Sequence, residues 1–310
     1  MWRQLAYGMA TFIPGVSRLR SKGTGGTDSA RYCYSVWLRH VVMAAANGLD
    51  PHPAVIAELG PGDSLGIGLA GLLSGCDRYF AFDVVRHAST PGNLAILEEL
   101  VRLFRERADI PGDSEFPHAK PKLQDYRFPS TILNDARLVE SLDAARIATI
   151  RASLGDMDSR TSRVQYRVPW SDSGVLEPGT VDMIYSQAVL EHVNDVAATQ
   201  AATYSWLRPG GFASHQVDFR CHGTASEWNG HWRYSDLLWM LIKGRRPYLL
   251  NRMTHSQHLT AIRNAGFDVV CDDRQVSSSH LGREELAARF RDIPPVDLTT
   301  SGAFFQAVKR

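Results

Sequence analysis

The second half of the chain holds most of its candidate proton acceptors. Seven of the 11 histidines lie between His192 and His280, and several follow apolar runs that predict buried strands. A histidine or carboxylate placed at a strand end could take a proton from a reacting group, as general bases do. The candidates for this catalytic role are His192, Asp218 and His231.

A polar and aromatic loop follows the fifth predicted strand. The segment from Arg220 to Tyr234 interleaves histidine, glutamate and asparagine with tryptophan. Polar donors beside aromatic faces suit a sugar, and exposed tryptophans would otherwise be costly. A merely solvated loop is the alternative. The residues predicted to contact an acceptor are Arg31, Tyr34, Glu191, His215, His222, Trp228 and Trp232.

Several of these residues have a second interpretation. His192 could hydrogen-bond within the rim of the sheet, and His215 could point to either face of its strand. Arg31 and Tyr34 lie in the segment from Thr24 to His40, where glycines precede an aromatic helix. This helix either packs on the core or closes over a cofactor or acceptor, with Arg31 meeting a carboxylate.

A glycine loop follows the first predicted strand. Glycines 60 and 62 allow a tight turn and close approach of a ligand to the backbone. The loop departs from the dinucleotide pattern G-x-G-x-x-G, because Leu65 stands at the third glycine's place. Glu58 and Asp63 flank the loop and would repel a pyrophosphate. The loop therefore suits a ligand that is cationic here, such as an ammonium group beside a sulfonium; a plain strand-to-helix turn is the alternative.

A second polar position lies at the end of the next predicted strand. Asp83 comes 21 residues after Gly62, where the ligand crevice of an open α/β sheet lies and where a carboxylate can accept both hydroxyls of a ribose. A solvated aspartate is the alternative. The two positions together describe a ligand with a ribose at one end and an amino acid at the other. S-adenosylmethionine fits this description, and NAD fits it less well.

Strand-like and helix-like segments alternate in a way that predicts an α/β fold with a doubly wound, mostly parallel sheet of about seven strands. The last two strands suit an antiparallel hairpin. We expect an N-terminal helical cover over residues 1–47, then one domain over residues 48–310. Within it, residues 110–163 interrupt the alternation and predict a helical insertion, more lid than independent domain. The clearest strands are predicted at Ala54–Leu59, Arg78–Val85, Val164–Trp170, Val181–Ser186 and Gly211–Phe219.

Composition excludes several classes of function. With 34 basic and 33 acidic residues, the chain has no excess charge to gather nucleic acid. Four scattered cysteines without zinc-type spacing favour a reducing compartment, and no apolar run is long enough to span a membrane. We expect a cytoplasmic protein that acts on a small molecule or glycan. The first segment could lie on the domain, on a partner or on a membrane surface.

Five segments together resemble the class I S-adenosylmethionine-dependent methyltransferases: AVIAELGPGDSLG, FAFDVV, VDMIYSQAVLEHV, WLRPGGF and AIRNAGFDVV. The resemblance covers roughly Pro53 to the C-terminus, apart from the insertion. It implies that residues 58–62 line the methionine end and that Asp83 holds the ribose. It further implies that Pro169 and Trp170 flank adenine. The full predicted cofactor set is Glu58, Gly60, Gly62, Asp63, Ser64, Asp83, Val84, Pro169, Trp170, Ser186 and Gln187, of which the last two would lie near the reacting methyl.

The chain departs from the family pattern at three places. Ser64 replaces the usual third glycine, which is tolerable if Ser64 caps the following helix. Pro169 and Trp170 replace a polar or acidic residue, which leaves adenine to stacking or backbone contacts. The pair Glu191-His192 is similar to one that binds Mg²⁺ in ubiquinone-pathway O-methyltransferases, but Ala188 stands where their further carboxylate would be. We therefore do not favour Mg²⁺ and expect no metal.

The favoured hypothesis is O-methylation of a hydroxylated, sugar- or glycan-like acceptor with His192 as the first candidate for the base. N-methylation or carboxyl methylation of a natural-product intermediate is the main enzymatic alternative. A non-catalytic cofactor-binding partner of another subunit is a second alternative. An NAD-linked oxidoreductase is disfavoured by Glu58 and by the missing dinucleotide motif.

Overall fold

The sheet forms from short apolar runs, each of which is followed by a turn or by a helix with its own apolar side. The computed structural model describes residues 2–12, 26–170, 173–246 and 248–310. The strands pair in the order β3-β2-β1-β4-β5-β7-β6, and β7 is antiparallel to both neighbours. The predicted α/β fold with a mostly parallel, seven-stranded sheet is thus confirmed. The strands are β1 (Val55–Leu59), β2 (Arg78–Phe82), β3 (Val164–Arg167), β4 (Val181–Gln187), β5 (Leu207–Asp218), β6 (Asp268–Val276) and β7 (Thr300–Val308).

Helices cover both faces of the sheet because its strands are apolar on both sides. On one face α2, α3 and α4 pack together, and their side chains form one core with Ile56 and Tyr79. On the other face α7 and α9 enclose a second core around Phe82, Ile184 and Trp206. The helices are α1 (Trp2–Ala10), α2 (Ala30–Ala46), α3 (Gly66–Leu73), α4 (Thr90–Arg105), α5 (Asp135–Ser141), α6 (Ala144–Ser153), α7 (Val196–Trp206), α8 (Asp236–Lys243) and α9 (His255–Asn264).

Three strands differ from their predicted bounds by three or four residues, and the other predicted bounds hold to within one residue. β3 ends at Arg167 instead of Trp170. β2 ends at Phe82, which makes Asp83 the first residue beyond the strand. β5 begins at Leu207 instead of Gly211, because Leu207 pairs with Val181 across an irregularity in the ladder with β4. The turn residues before Gly211 are therefore part of the strand.

The insertion between residues 110 and 163 consists of helices α5 and α6 joined by turns, with no strand over that fully described range. The guanidinium of Arg146 donates to Leu72 O (3.2 Å) and Cys76 O (2.5 Å), at the C-terminal end of α3. Helix α6 therefore contacts the end of the sheet opposite the ligand crevice, and that the insertion is more lid than independent domain stays a prediction. The stretch around Lys120 instead reaches the crevice edge.

The N-terminal segment lies on the domain, the first of the three arrangements considered for it. α1 packs on α8, and the Gln4 carboxamide donates to Gly223 O at 2.7 Å. α2 packs on α3. The dipeptide Pro14-Gly15, which is typical of a turn, lies outside the described residues. Among the described residues, every helix is too short or too polar to cross a membrane.

Candidate active site

The glycine loop turns sharply where β1 ends. Gly60 and Gly62 have φ angles of +66° and +74°, which side chains other than glycine rarely adopt. A Cβ on Gly60 would lie 2.6 Å from Val189 Cγ2, so the segment after β4 closely approaches this loop. The loop therefore lies at the point where the strand order reverses between β1 and β4, the position of the ligand crevice in sheets of this type.

Side chains from three elements fix the start of α3 behind the loop. The hydroxyl of Ser64 donates to Thr27 O and accepts from the Gly66 N–H at 3.0 Å. The N–H of Leu65, the N-cap residue, donates to Asn93 Oδ1 at 2.9 Å. Ser64 thus satisfies a donor of the first helical turn, but the N-cap residue is Leu65, so Ser64 does not cap the helix in the predicted way. The Asp63 N–H donates to Thr27 Oγ1 at 2.9 Å, which ties the segment before α2 to the loop.

Asp83 holds its carboxylate against the glycine loop. Its oxygens accept from the Val84 N–H at 2.7 Å and from the Gly62 N–H at 3.4 Å. The residue is 8% exposed, and this burial raises the pKa of its carboxyl. Val84 and Val85 beside it are 49% and 44% exposed. A hydrogen-bond acceptor for hydroxyls therefore adjoins an open apolar surface, an arrangement that suits a ribose joined to a flat base.

Glu58 lies inside the fold instead of facing the loop. Its carboxylate accepts hydrogen bonds from Tyr79 Oη and, at 3.0 Å, from Tyr185 Oη, on neighbouring strands. Burial and, to a smaller extent, the charge of Asp83 raise its pKa to about 7, although the hydrogen bonds from the two tyrosines lower it. These contacts contradict the predicted role of Glu58 at the methionine end. Because β1 is covered on both faces, sequence position could not reveal which face carries this side chain.

Replacing Glu58 with glutamine is expected to remove a pH dependence of stability. Since the folded pKa of about 7 exceeds the ordinary 4.5, the folded state binds the proton more tightly, and the free energy of unfolding falls as pH rises from about 4.5 to about 7. The shift corresponds to roughly 3 kcal/mol. Urea unfolding at pH 5 and pH 8 measures the effect. The exposed control Glu177→Gln should retain the wild-type difference, and an unchanged difference in Glu58→Gln would contradict the assignment.

A cluster of titratable side chains lies beyond the C-terminal ends of β4 and β5. Glu191, His192 and His222 each place one nitrogen or oxygen within 4.8 Å of the others. The two imidazole rings have centroids 5.1 Å apart. His222 Nε2 lies 3.4 Å from Asp218 Oδ2, with both side chains about 30% exposed. The structure thus brings together two residues predicted as catalytic, His192 and Asp218, and two predicted as acceptor contacts, Glu191 and His222.

The members of this cluster differ in their protonation. Burial and, to a smaller extent, the neighbouring His222 lower the pKa of His192 to about 4. His192 is therefore neutral near pH 7. Burial raises the pKa of Glu191 well above its ordinary value. Burial opposes ionisation of Asp218 as well, but hydrogen bonds from His222 and from the Arg220 N–H keep its pKa below the usual value. Asp218 is therefore the carboxylate that stays ionised, in contact with an imidazole.

The cluster fits Mg²⁺ poorly. Both carboxyl oxygens of Glu191 and Nδ1 of His192 are buried and have no hydrogen-bond partner among the residues that the structure describes, which is costly unless something else satisfies them. However, Glu191, His192 and His222 offer two nitrogens and a single carboxylate, whereas Mg²⁺ prefers oxygen ligands. Such a donor set is closer to the preferences of later divalent transition metals.

Several predicted residues lie in the interior, where they cannot contact an acceptor. Tyr34 is fully buried and donates to Ala108 O, and Trp232 is fully buried and donates to Arg252 O. His215 is buried in β5, and its Nδ1 lies 2.8 Å from Oγ of the buried Ser186. Both side chains therefore lie in the interior of the fold. His231 is buried against Trp232 and Trp239. The roles predicted for these five side chains are wrong, because each is used in packing.

The other predicted contacts have protein partners. Arg31 forms a bidentate ion pair with Glu115 of the insertion, both contacts at 2.6 Å. The carboxylate it was expected to meet is therefore part of the chain. The indole N–H of Trp228 donates to Ser278 O, and its ring packs against Trp232. The loop from Arg220 to Tyr234 is thus a packed structure, not the solvated alternative.

Residues at the ends of β3 and β4 border the crevice in different ways. The ring of Trp170 packs on Phe82 and Trp206, whose ring centroids are 5.7 and 5.4 Å away. The backbone N–H of Trp170 donates to Asp83 O at 3.1 Å. Pro169 is exposed next to it. Gln187 donates to Lys120 O at 3.1 Å and is 3.2 Å from His40 Nε2. Adenine contact by Pro169 and Trp170 stays a prediction.

Sequence reasoning missed the pairing of Asp218 with His222. Their spacing of four residues was a visible signal, but it lies outside any helix: His222 has φ +45° in the loop after β5. Asn93 and Thr27, which fix the start of α3, were also missed. Each is distant in sequence from the loop it holds, so only the fold reveals the contact.

The similarity of the chain to known proteins is distant. No family model and no curated protein sequence matches the chain. The structural neighbours include S-adenosylmethionine-dependent methyltransferases. One is the enzyme of that description from Mesorhizobium loti, with 13% identity, a TM-score of 0.39 and coverage of 82% of this chain and 90% of the other.

Two further neighbours have the same level of similarity. A methyltransferase from Methanosarcina mazei has 11% identity and a TM-score of 0.42, with 82% and 91% of the two chains covered. Phosphoethanolamine N-methyltransferase 2 from Haemonchus contortus, in complex with S-adenosyl-L-methionine, has 16% identity and a TM-score of 0.39, with 82% and 48% covered. Identities this low carry no information about the reaction or the acceptor.

Proposed function

We propose that the chain is an S-adenosylmethionine-dependent methyltransferase that methylates a hydroxyl group of a small, sugar-like acceptor. The observation that carries the proposal is the position of Asp83. Its carboxylate lies against the glycine loop at the strand-order reversal, next to the exposed Val84 and Val85. This site offers an acceptor for ribose hydroxyls, an apolar surface for a base, and a glycine turn for the amino-acid end.

In the proposed reaction, S-adenosylmethionine supplies an electrophilic methyl group on a sulfonium. The residues beyond β4 and β5 orient the acceptor hydroxyl in line with the carbon–sulfur bond. As the hydroxyl oxygen bonds to the methyl carbon, the carbon–sulfur bond breaks and its electron pair stays on sulfur. The hydroxyl proton passes to an imidazole nitrogen. The products are the methyl ether, S-adenosylhomocysteine and a protonated histidine.

His222 with Asp218 is the better-placed base in this mechanism. Its side chain is about 30% exposed, and the ionised Asp218 beside it can orient the ring and stabilise the imidazolium. His192, the first candidate from the sequence, has a pKa of about 4, which makes it a weak proton acceptor at neutral pH. We therefore propose His222 as the base and His192 as a neighbour that shapes its surroundings.

The alternatives predict different products. Methylation of a carboxylate needs no base, so loss of His222 would leave it largely intact. A non-catalytic partner subunit would bind S-adenosylhomocysteine but would not produce it from S-adenosylmethionine in any assay. An NAD-linked enzyme would need room for a pyrophosphate at the glycine loop, where Asp63 and Asp83 place two carboxyl groups near the start of α3.

Ligand binding and turnover together test the proposal. Calorimetry should show binding of S-adenosylmethionine and S-adenosylhomocysteine but not NAD. Release of S-adenosylhomocysteine is then measured with matched acceptors that carry a hydroxyl, an amine or a carboxylate on the same sugar skeleton. Release with the hydroxyl acceptor alone supports O-methylation. Binding of NAD, or failure to bind S-adenosylhomocysteine, would overturn the proposed cofactor.

A further inference from the structure

A cavity of about 140 Å³ opens next to the crevice, on the side away from the glycine loop. Its walls come from the insertion (Lys120, Pro121, Lys122), from the ends of β5 and β6, and from β7. It adjoins the crevice through two contacts: the Gln187 carboxamide donates to Lys120 O at 3.1 Å, and the Ala188 N–H donates to Gln216 O at 3.0 Å. A molecule held near the end of β4 could therefore extend into this cavity.

Cationic residues from separate elements line this cavity. Lys120 and Lys122 lie two residues apart on the insertion, and Arg274 lies on the β6 wall. Lys122 pairs with Asp113 at 2.8 Å. Arg274 forms no ion pair with any other described residue, and neither does Lys120, although Asp273 on the same wall lies within its electrostatic range.

The closeness of Lys120 and Lys122 is electrostatically unfavourable. Burial and the charge of Lys122 lower the pKa of Lys120, and Arg220 and Arg39 add to the effect while Asp113 opposes it. Arg39, fully buried, donates to Pro121 O at 2.6 Å and to Ala119 O at 3.2 Å, which fixes the backbone on both sides of Lys120. The backbone that carries Lys120 is therefore held in place before any ligand binds, and an anion beside the two lysines would relieve their repulsion.

The wall also carries neutral donors. Gln216 on β5 is buried and lines the cavity, and Gln275 lies on the β6 wall. Ammonium, guanidinium and carboxamide groups around one small space are the donors that bind phosphate or carboxylate oxygens. We infer that the cavity binds an anionic group, phosphate or carboxylate, carried by the methyl acceptor, so that the acceptor's hydroxyl is presented to the cluster beyond β4 and β5. The identity of the bound molecule as the methyl acceptor rests on the proposed function.

Binding of simple anions to the full-length protein tests the inference without turnover. Calorimetry with inorganic phosphate and, separately, with acetate shows which oxyanion is taken up. We expect one of them to bind the wild type and to lose at least tenfold in affinity in Lys120→Gln and in Arg274→Gln. The matched control is Arg78→Gln, an exposed arginine at the opposite edge of the sheet, which should bind as the wild type does.

Separate readouts distinguish the possible failures. S-adenosylhomocysteine affinity, measured on the same samples, tests the proposed function and should be unchanged in all three variants. Thermal unfolding without ligand shows that each variant is folded. Absence of binding by both anions, or equal affinity in Lys120→Gln, Arg274→Gln and the control, would overturn the anion site. Loss of S-adenosylhomocysteine binding in the wild type would overturn the proposed function while leaving the anion result readable.

Discussion

Asp83→Ala is expected to lose binding of S-adenosylhomocysteine almost completely. A ribose held by this carboxylate makes two hydrogen bonds to a charged acceptor, each worth about 1.5–3 kcal/mol. Their loss therefore lowers affinity roughly 100-fold or more. Isothermal titration calorimetry of the two proteins measures the change directly. Asp83→Asn, which keeps the size of the side chain, should lose less but still a large fraction.

The control separates cofactor binding from folding. Asp292→Ala removes an exposed carboxylate beyond α9, far from the glycine loop, and should bind S-adenosylhomocysteine as the wild type does. Because the Asp83 carboxylate also accepts from the Gly62 and Val84 N–H groups, urea unfolding is needed to show that Asp83→Ala remains folded. Unchanged affinity in a folded Asp83→Ala protein would rule out the ribose assignment.

The pH dependence of binding follows from the same residue. Burial raises the pKa of Asp83, and only its ionised form accepts hydrogen bonds from both hydroxyls. Affinity should therefore fall as pH is lowered, beginning at a higher pH than for an ordinary aspartate.

The sheet and the ribose position could be predicted because both depend on local patterns. Apolar runs separated by glycine turns set the strands, and a strand end fixes where Asp83 must lie. The direction of a side chain from a strand could not be predicted in the same way. Glu58, Ser186 and His215 lie on strands covered by helices on both faces, so no polar and apolar alternation distinguishes crevice from core.

The acceptor side depended on contacts between distant segments. Trp232 is a core residue because Phe290 stacks on its ring. Tyr34 of α2 is a core residue because its ring packs edge-on against Phe104 of α4. Lys120 became a cavity wall because the buried Arg39, some 80 residues earlier, holds the backbone around it. No short-range signal in the sequence reports such contacts, whereas the pairing of Asp218 with His222 was visible as a four-residue spacing.

The catalytic cluster gives the second large prediction. With the hydroxyl acceptor, His222→Gln should lower kcat roughly 100-fold or more, the usual contribution of a general base. S-adenosylhomocysteine affinity should stay unchanged, because His222 follows β5, whereas the proposed cofactor contacts follow β1 and β2. Single-turnover release of S-adenosylhomocysteine measures the chemical step. Asp218→Asn should give a comparable loss, since a neutral amide cannot stabilise the imidazolium.

The double variant shows whether the two residues act as one unit. If Asp218 works through His222, the protein carrying both changes should be hardly slower than His222→Gln alone, because catalytic effects of coupled residues do not add. His192→Gln provides the matched comparison, since its ring adjoins His222 without contacting Asp218 in an ion pair. A base with a pKa of about 4 would keep activity nearly constant down to about pH 5. A loss confined to His192→Gln, together with that flat pH profile, would return the role of base to His192 and leave His222 and Asp218 as acceptor contacts.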